Sequence, residues 1–212
     1  MTDHSRRQGH GEEAASPKDS TASPKHWPKH GTREGTDYRI FRTRFDALTN
    51  PRNGETMERV VLETPDWVNV VALDEEGSIV VIEQFRFGPG RNTIEIPGGM
   101  IDPGEDPLAA AKRELREETG YTSERWVSLG AVSPNPAFHD NLCHHFLSLD
   151  AKRTHDLDQD TGEDIVVRTM SQEELVRAIA SGAIEHALVL TAVSRIFDLR
   201  WPEALGELGP RP

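Results

Sequence analysis

Cysteine is almost absent from this chain. The single residue, Cys143, excludes an intrachain disulfide and a cysteine-rich zinc site, and it suits a reducing compartment, where it serves as a small buried apolar group. No apolar run approaches the roughly 20 residues needed to span a bilayer, and the first thirty residues lack the apolar stretch of a secretory signal. A cytoplasmic protein with no membrane partner is therefore expected. Positive charge is also scarce, with 24 Lys and Arg against 36 Asp and Glu and a net charge of -12. Such a surface repels the phosphate backbone, so no nucleic-acid partner is expected. The acidic excess suits instead a site that gathers divalent cations around carboxylates. What is present, 212 residues with 35% hydrophobic content, is enough for one globular domain with a proper core.

Residues 1–31 are rich in Ser, Pro, Lys, His and Gly and offer almost no large apolar side chain to offset the entropy of ordering, so they read as a disordered tail. His4, His10, His26 and His30 are irregularly spaced in this polar segment and are given no function. Residues 32–64 read as an N-terminal β hairpin, with strands from Tyr38 to about Leu48 and on to Glu63 around the Asn53-Gly54 turn signal. The main domain is expected over 65–201, and 202–212 form a C-terminal tail. Val68–Leu73 and Ile79–Phe87 are near-continuous apolar runs of the kind that strands buried on both faces show. Further strands are expected at Thr93–Ile96, Trp126–Val132, Leu142–Leu149 and Ile165–Met170.

Three helices complete the pattern. The first is expected over Pro107–Thr119, with Asp106 as N-cap, Pro107 at the first helical position and Gly120 past the end. A second follows the capping box Ser171-Gln172-Glu173-Glu174, and a third runs over roughly His186 to Arg200. Strands, a helix, more strands and two terminal helices indicate a mixed α/β layered sandwich.

The first helix carries the most information. At about 100 degrees per residue, Leu108, Ala111, Leu115 and Thr119 fall on one apolar stripe, while Glu114, Glu117 and Glu118 share an arc of about 100 degrees on another side. Crowding three anions near a helix C-terminus is unfavourable by a few tenths of a kcal/mol per pair, and a bound cation would offset it. Gly99-Met100-Ile101-Asp102-Pro103-Gly104-Glu105, seven further residues, and Arg113-Glu114-Leu115-Arg116-Glu117-Glu118-Thr119-Gly120-Tyr121 resemble the Nudix box, G-x5-E-x7-R-E-U-x-E-E-x-G-U with U aliphatic. Every fixed position matches. Tyr121 departs from the pattern at the last aliphatic position, where packing is the role.

The resemblance implies a Nudix-type α/β/α sandwich with a mixed sheet, preceded by an N-terminal antiparallel β hairpin, and a diphosphatase that uses Mg2+ or Mn2+. Both cations favour carboxylate and water ligands and bind substrate phosphates at the same time. Carried over residue by residue, Glu114, Glu117 and Glu118 become metal ligands and the Gly98 carbonyl completes a site. Arg113 orients a glutamate, and Glu105 stabilises the loop or binds metal through water. Glu163, in the segment Thr161-Gly162-Glu163-Asp164-Ile165, matches a loop glutamate that often serves the family as base; here it is base, metal ligand or only a loop carboxylate, and Thr161 stands where a second glutamate is common.

Two further segments resemble the branch acting on ADP-ribose and other nucleotide sugars. Pro136 lies fifteen residues after Tyr121 and opens Pro136-Ala137-Phe138-His139-Asp140-Asn141, while Glu83-Gln84-Phe85-Arg86-Phe87 and Glu95-Ile96-Pro97-Gly98-Gly99 lead into the box. In that reading Arg86 holds a phosphate and Glu95 a ribose or sugar hydroxyl, unless the two form an internal salt bridge. Trp67 and Phe138 either stack a base or pack in the core. The partner is then a small nucleoside diphosphate derivative. Other diphosphates (dinucleoside polyphosphates, coenzyme A, capped RNA) and a non-catalytic Nudix-fold sensor are the alternatives. The resemblance also implies a homodimer, since in that branch such an N-terminal sheet crosses to the partner; Tyr38, Ile40, Phe41, Phe45, Met57, Val60, Val61 and Leu62 are more apolar groups than an isolated hairpin keeps in water, and either the partner or the chain's own core covers them.

Overall fold

The computed structural model describes residues 23–159, 162 and 164–199. In chain order the elements are β1 (Lys29–Asp37), β2 (Arg42–Thr49), β3 (Thr56–Glu63), β4 (Trp67–Asp74), β5 (Ile79–Arg86), β6 (Arg91–Glu95), α1 (Pro107–Thr119), β7 (Tyr121–Thr122), β8 (Arg125–Val132), β9 (Cys143–Arg153), β10 (Val166–Met170), α2 (Gln172–Ala180) and α3 (Ala187–Val193).

The main sheet is built on the two apolar runs noted in the sequence. Strands β10, β5, β4 and β9 lie side by side, with β6 on β5 and both β7 and β8 on β9. β4 and β9 are parallel, and every other pair is antiparallel, so the sheet is mixed. Side chains alternate across it as the two-residue strand period demands. Val68, Val70, Ala72 and Val80 pack on Ala110, Ala111 and Leu115 of α1. Val71, Ile79 and Val81 pack on Leu175 of α2 and on Val189, Ala192 and Val193 of α3. Helices therefore cover both faces, which makes the expected α/β/α sandwich. Tyr121 packs against the α1 cluster, in keeping with its role at the end of the box.

Helix α1 has the bounds the caps dictate: the Asp106 side chain accepts from the Leu108 and Ala109 N–H groups, and Gly120 closes the end at φ 74 with its N–H on the Arg116 carbonyl. The Ser171–Glu174 capping box forms in full at α2. Helix α3 is shorter than its sequence suggests. After Val193 the backbone tightens, Arg195 N–H reaching Ala192 O and Ile196 N–H reaching Val193 O, three residues back rather than four. Ile196, Phe197 and Leu199 still pack on the core, so the helical spacing marked burial and not continued helix.

The N-terminal unit departs from the expected hairpin. It is a three-stranded antiparallel sheet ordered β1-β2-β3, and β1 begins at Lys29, inside the segment expected to be tail. All nine residues of β1 are exposed and nearly all are polar, so no hydrophobic alternation announced the strand. A tight turn over residues 38–41, with Arg39 at φ 71, separates β1 from β2, which starts at Arg42 and not at Tyr38. This sheet meets the main domain through Leu62 N–H to Phe138 O (2.7 Å) and through Arg44, whose guanidinium joins Glu63 (2.6 Å) to Asp140 (2.8 Å).

His145 of β9 is fully buried, and neither ring nitrogen has a hydrogen-bond partner among the described residues. Burial, helped by the nearby charges of Arg195 and His144, pushes its pKa down from 6.5 to about 4. The unfolded chain thus binds this proton more readily than the folded one, so the contribution to stability is whole above pH 6.5 and is lost as pH falls toward 4. Urea midpoints measured across that range should fall more steeply for the native chain than for His145→Leu; equal slopes would refute the assignment.

Candidate active site

The box glutamates stand on α1 behind a strip of backbone with no side chains. Gly98 and Gly99 follow β6 and pass between β4 and α1, where a Cβ on Gly98 would lie 2.1 Å from the Val68 carbonyl oxygen and 2.7 Å from Asn69 Nδ2. At Gly99 it would lie 2.5 to 2.8 Å from the Glu114 carboxylate. At Gly98 only glycine lets the chain lie so close to β4. Gly98 N–H donates to Glu118 Oε2 at 2.8 Å, and Glu118 is buried at 3% exposure.

Arg113 is the hub of the remaining charges. Its guanidinium donates to both Glu105 oxygens (3.0 and 2.9 Å), to Glu114 (2.8 Å), to Glu117 (3.2 Å) and to the Met100 carbonyl (3.0 Å). Glu105 also accepts from Asp102 N–H at 3.1 Å, and the Arg113 contact, opposed by burial, holds its carboxyl below the usual range. Arg113 thus orients glutamates, and Glu105 ties the box loop to the helix. Asp158 N–H donates to the Glu117 carbonyl at 3.0 Å, which brings the segment after β9 onto the end of α1. Glu163 and Thr161, in that segment, lie outside the described residues.

A cleft of about 660 Å³ opens on the other side of the glycine strip, lined by Trp67, Asn69, Arg86, Phe87, Glu95 and the His186–Leu188 start of α3, among others. Its volume is in the range that takes a small ligand. Arg86 and Glu95 form a two-pronged ion pair, with both N–H···O distances 2.7 Å; Thr93 donates to Glu95 at 2.6 Å, and His186 Nδ1 lies 3.3 Å away. Glu95 is 2% exposed. Burial would raise its pKa, but Arg86, His186 and Thr93 together hold it well below the carboxylate range. This is the internal salt bridge that the sequence left as one of two readings, and it leaves Glu95 little capacity for a sugar hydroxyl. Trp67 lines the cleft and Phe138 does not; His139 lies between them, with ring centroids 6.0 and 5.1 Å away and edge-on geometry.

Residues 64–192 match the model of the NUDIX domain. The chain belongs to the Nudix family. It is similar to the ADP-ribose pyrophosphatase of Bacillus subtilis (strain 168), 34% identical over 146 residues, which cover 66% of this chain and 77% of that protein. It is likewise similar to the methanol dehydrogenase activator of Bacillus methanolicus, 33% identical over 63% of this chain and 74% of that one. A crystal structure of an ADP compounds hydrolase superposes with a TM-score of 0.71 over 89% of this chain and 99% of its own, at 20% identity, and so shares the fold. As a Nudix diphosphatase, the chain hydrolyses a diphosphate linkage.

Sequence reasoning missed His186 and Thr93. Each is polar, lines the cleft and contacts Glu95, yet His186 stands 91 positions after it at the N-cap of α3, and no local motif marks it. Among the described residues no helix is long and apolar enough to cross a membrane.

The glycine strip separates two kinds of obstruction. Gly98→Ala drives a methyl group into backbone and should lower the melting temperature sharply, whereas Gly99→Ala meets the flexible end of Glu114 and should fold with little loss while displacing that carboxylate. Thermal melts of both variants check the ranking, and an unaffected Gly98→Ala protein would contradict the packing described.

Proposed function

We propose that this enzyme cleaves the diphosphate of an ADP-ribose-like nucleoside diphosphate sugar, giving a nucleoside monophosphate and a sugar phosphate. The observation that carries the reading is the juxtaposition of a cleft of about 660 Å³ with the box carboxylates across one glycine strip. The relatives named ADP-ribose pyrophosphatase support the same substrate class, since the Mycobacterium tuberculosis protein of that name aligns over 82% of both chains at 29% identity.

The residues fit a divalent cation, Mg2+ or Mn2+. Their donors are all oxygen, and Glu118 is a buried carboxylate held by the N–H of Gly98, which lines the cleft. Among the described residues no three carboxylate or imidazole groups already converge as a cage. The metal set is therefore carried by the family resemblance, and Mg2+ in general keeps several waters and completes its shell with substrate phosphates. Glu114, Glu117, Glu118 and the Gly98 carbonyl would hold it. When bound, the cation supplies neutralisation of the diphosphate charge and a water of lowered pKa.

The chain's own groups do the rest. Arg113 keeps Glu114 and Glu117 in place and lessens their mutual repulsion. Arg86, anchored by Glu95, receives a substrate phosphate at the cleft wall, and Trp67 shapes the other end. Glu163 takes the proton of the attacking water or adds a ligand to the cation. Two copies form a homodimer through the N-terminal sheet, whose Tyr38, Ile40 and Val60 are 54%, 61% and 42% exposed.

Incubation of the full chain with Mg2+ and ADP-ribose should release AMP and ribose 5-phosphate, faster than from dinucleoside polyphosphates, coenzyme A or capped RNA. No turnover of any diphosphate would leave only the sensor reading. Glu114→Gln and Glu118→Gln should each lower kcat by orders of magnitude with the fold intact, and activity within about threefold of the native enzyme would sink the site assignment. Calcium should support turnover poorly, since its looser coordination positions water less well. Light scattering should give twice the chain mass; a monomeric mass for active protein would refute the dimer.

A further inference from the structure

The two oxygens of Glu95 are served unevenly. Oε1 accepts from Arg86 Nε (2.7 Å) and from the Thr93 hydroxyl (2.6 Å), whereas Oε2 accepts from Arg86 Nη2 alone among the described residues, at 2.7 Å. A carboxylate oxygen has room for two donors, so one acceptor position on Oε2 is unfilled, on a side chain that is 3% exposed. The atom facing that oxygen is His186 Nδ1, 3.3 Å away. Nδ1 is itself buried and makes no hydrogen bond of good geometry with any described residue. An unused donor and an unused acceptor thus stand opposite each other, a small movement from bonding.

Nothing local explains the histidine. It is the N-cap of α3, yet its side chain makes no capping bond. The segment that carries it is already anchored by the ion pair between Glu185 and Arg91 of β6, so His186 is held beside Glu95 without a bond of its own. Its ring lines the cleft and its side chain is 41% exposed, which leaves the edge away from Nδ1 as the open one.

Arg86 gives this arrangement a use. Its side chain is 43% exposed and also lines the cleft. A phosphate drawn to the guanidinium competes with Glu95 for its donors, and turning Nη2 toward the cleft leaves Oε2 bare. A buried carboxylate oxygen without a donor is costly. Thr93 cannot make good the loss, because its hydroxyl is bound to the other oxygen. His186 can, by closing on Oε2. A carboxylate facing Nδ1 keeps the proton on that atom, which is the tautomer the donation needs.

We propose that His186 is a positioning residue for phosphate binding: its Nδ1–H takes over Glu95 Oε2 when Arg86 Nη2 turns to a phosphate, so the anchor of Arg86 stays satisfied in both states. This rests on the reading that Arg86 receives a substrate phosphate, and in it His186 touches no reacting atom.

Two readouts on the full chain test it. Imidazole nitrogen NMR spectra recorded as inorganic pyrophosphate is added should show the His186 Nδ1 signal moving toward a more strongly hydrogen-bonded position in the native protein and standing still in Arg86→Ala. An unmoved signal in the native protein overturns the proposal, and so does a movement that persists in Arg86→Ala, which would put His186 itself on the phosphate. Steady-state kinetics with Mg2+ and ADP-ribose should show KM raised on the order of tenfold in His186→Ala with kcat nearly unchanged. His186→Asn, whose amide reaches the place of Nδ1, should restore most of the loss, and His186→Gln, whose amide reaches the place of Nε2, should not. Rescue by glutamine and not by asparagine would overturn the proposal in favour of a direct contact, as would full additivity of His186→Ala with Glu95→Gln. If the native chain hydrolyses no nucleotide sugar while pyrophosphate still moves the His186 signal through Arg86, the substrate reading fails and the positioning role stands. If the native and His186→Ala chains hydrolyse ADP-ribose with the same KM, the substrate reading stands and the positioning role fails.

Discussion

The backbone of Gly98 and Gly99 runs through the gap between β4 and α1 so closely that any side chain there would strike the Val68 carbonyl or the Glu114 carboxylate. That approach lets the Gly98 N–H hold the buried Glu118 carboxylate and leaves only main chain between the box glutamates and the cleft. The apolar stripe of α1 seats the helix from one side, through Ala110, Ala111 and Leu115. On the other side the glycines leave room for the Glu114 and Glu118 carboxylates. A buried carboxylate is costly unless hydrogen-bonded, so the N–H at Gly98 is part of what permits Glu118 to be there at all.

The second constraint is electrostatic. Glu105, Glu114 and Glu117 surround one guanidinium, and Arg113 offsets in a single group the repulsion that their spacing creates. Because the guanidinium is planar and offers five donors in a fixed fork, it sets directions as well as charge, which a lysine at the same place would not do. Within the cleft the same device recurs in Arg86 and Glu95. On either side of the glycine strip, carboxylates are thus held in position by an arginine.

Much of this was legible in the chain, and for identifiable reasons. Helix α1 declared its bounds because Asp106, Pro107 and Gly120 act locally, through the backbone of their own neighbours. Strands β4 and β5 were visible because burial on both faces leaves an apolar run. Strand β1 was hidden because its nine residues are all exposed and pair at an edge, so nothing in their polarity required a sheet. The overlong α3 came from reading core spacing as helix, when tight turns can bury Ile196 and Phe197 equally well. In the site, the box spoke for itself within one helix and one loop, but the partnership of Glu95 with His186 joins distant parts of the chain and depends on tertiary placement alone. The segment around Phe138 is tied to the N-terminal sheet by its carbonyl, which accepts from Leu62 N–H, a contact between distant parts of the chain that no local pattern announces.

The parallel pairing of β4 with β9 has a kinetic meaning. Trp67 aligns with Cys143 and Val71 with Leu147, so β5, β6, the glycine strip, α1 and β8 all lie in the stretch of chain that this pairing closes into a loop. Closing so long a loop costs entropy before any contact compensates it, and parallel strands have no hairpin to start from. The cleft and the carboxylate helix therefore have no finished form on a partly folded chain. The strip and α1 rest on β4 through Val68 N–H to the Gly99 carbonyl, so they gain their lasting support when the two central strands meet.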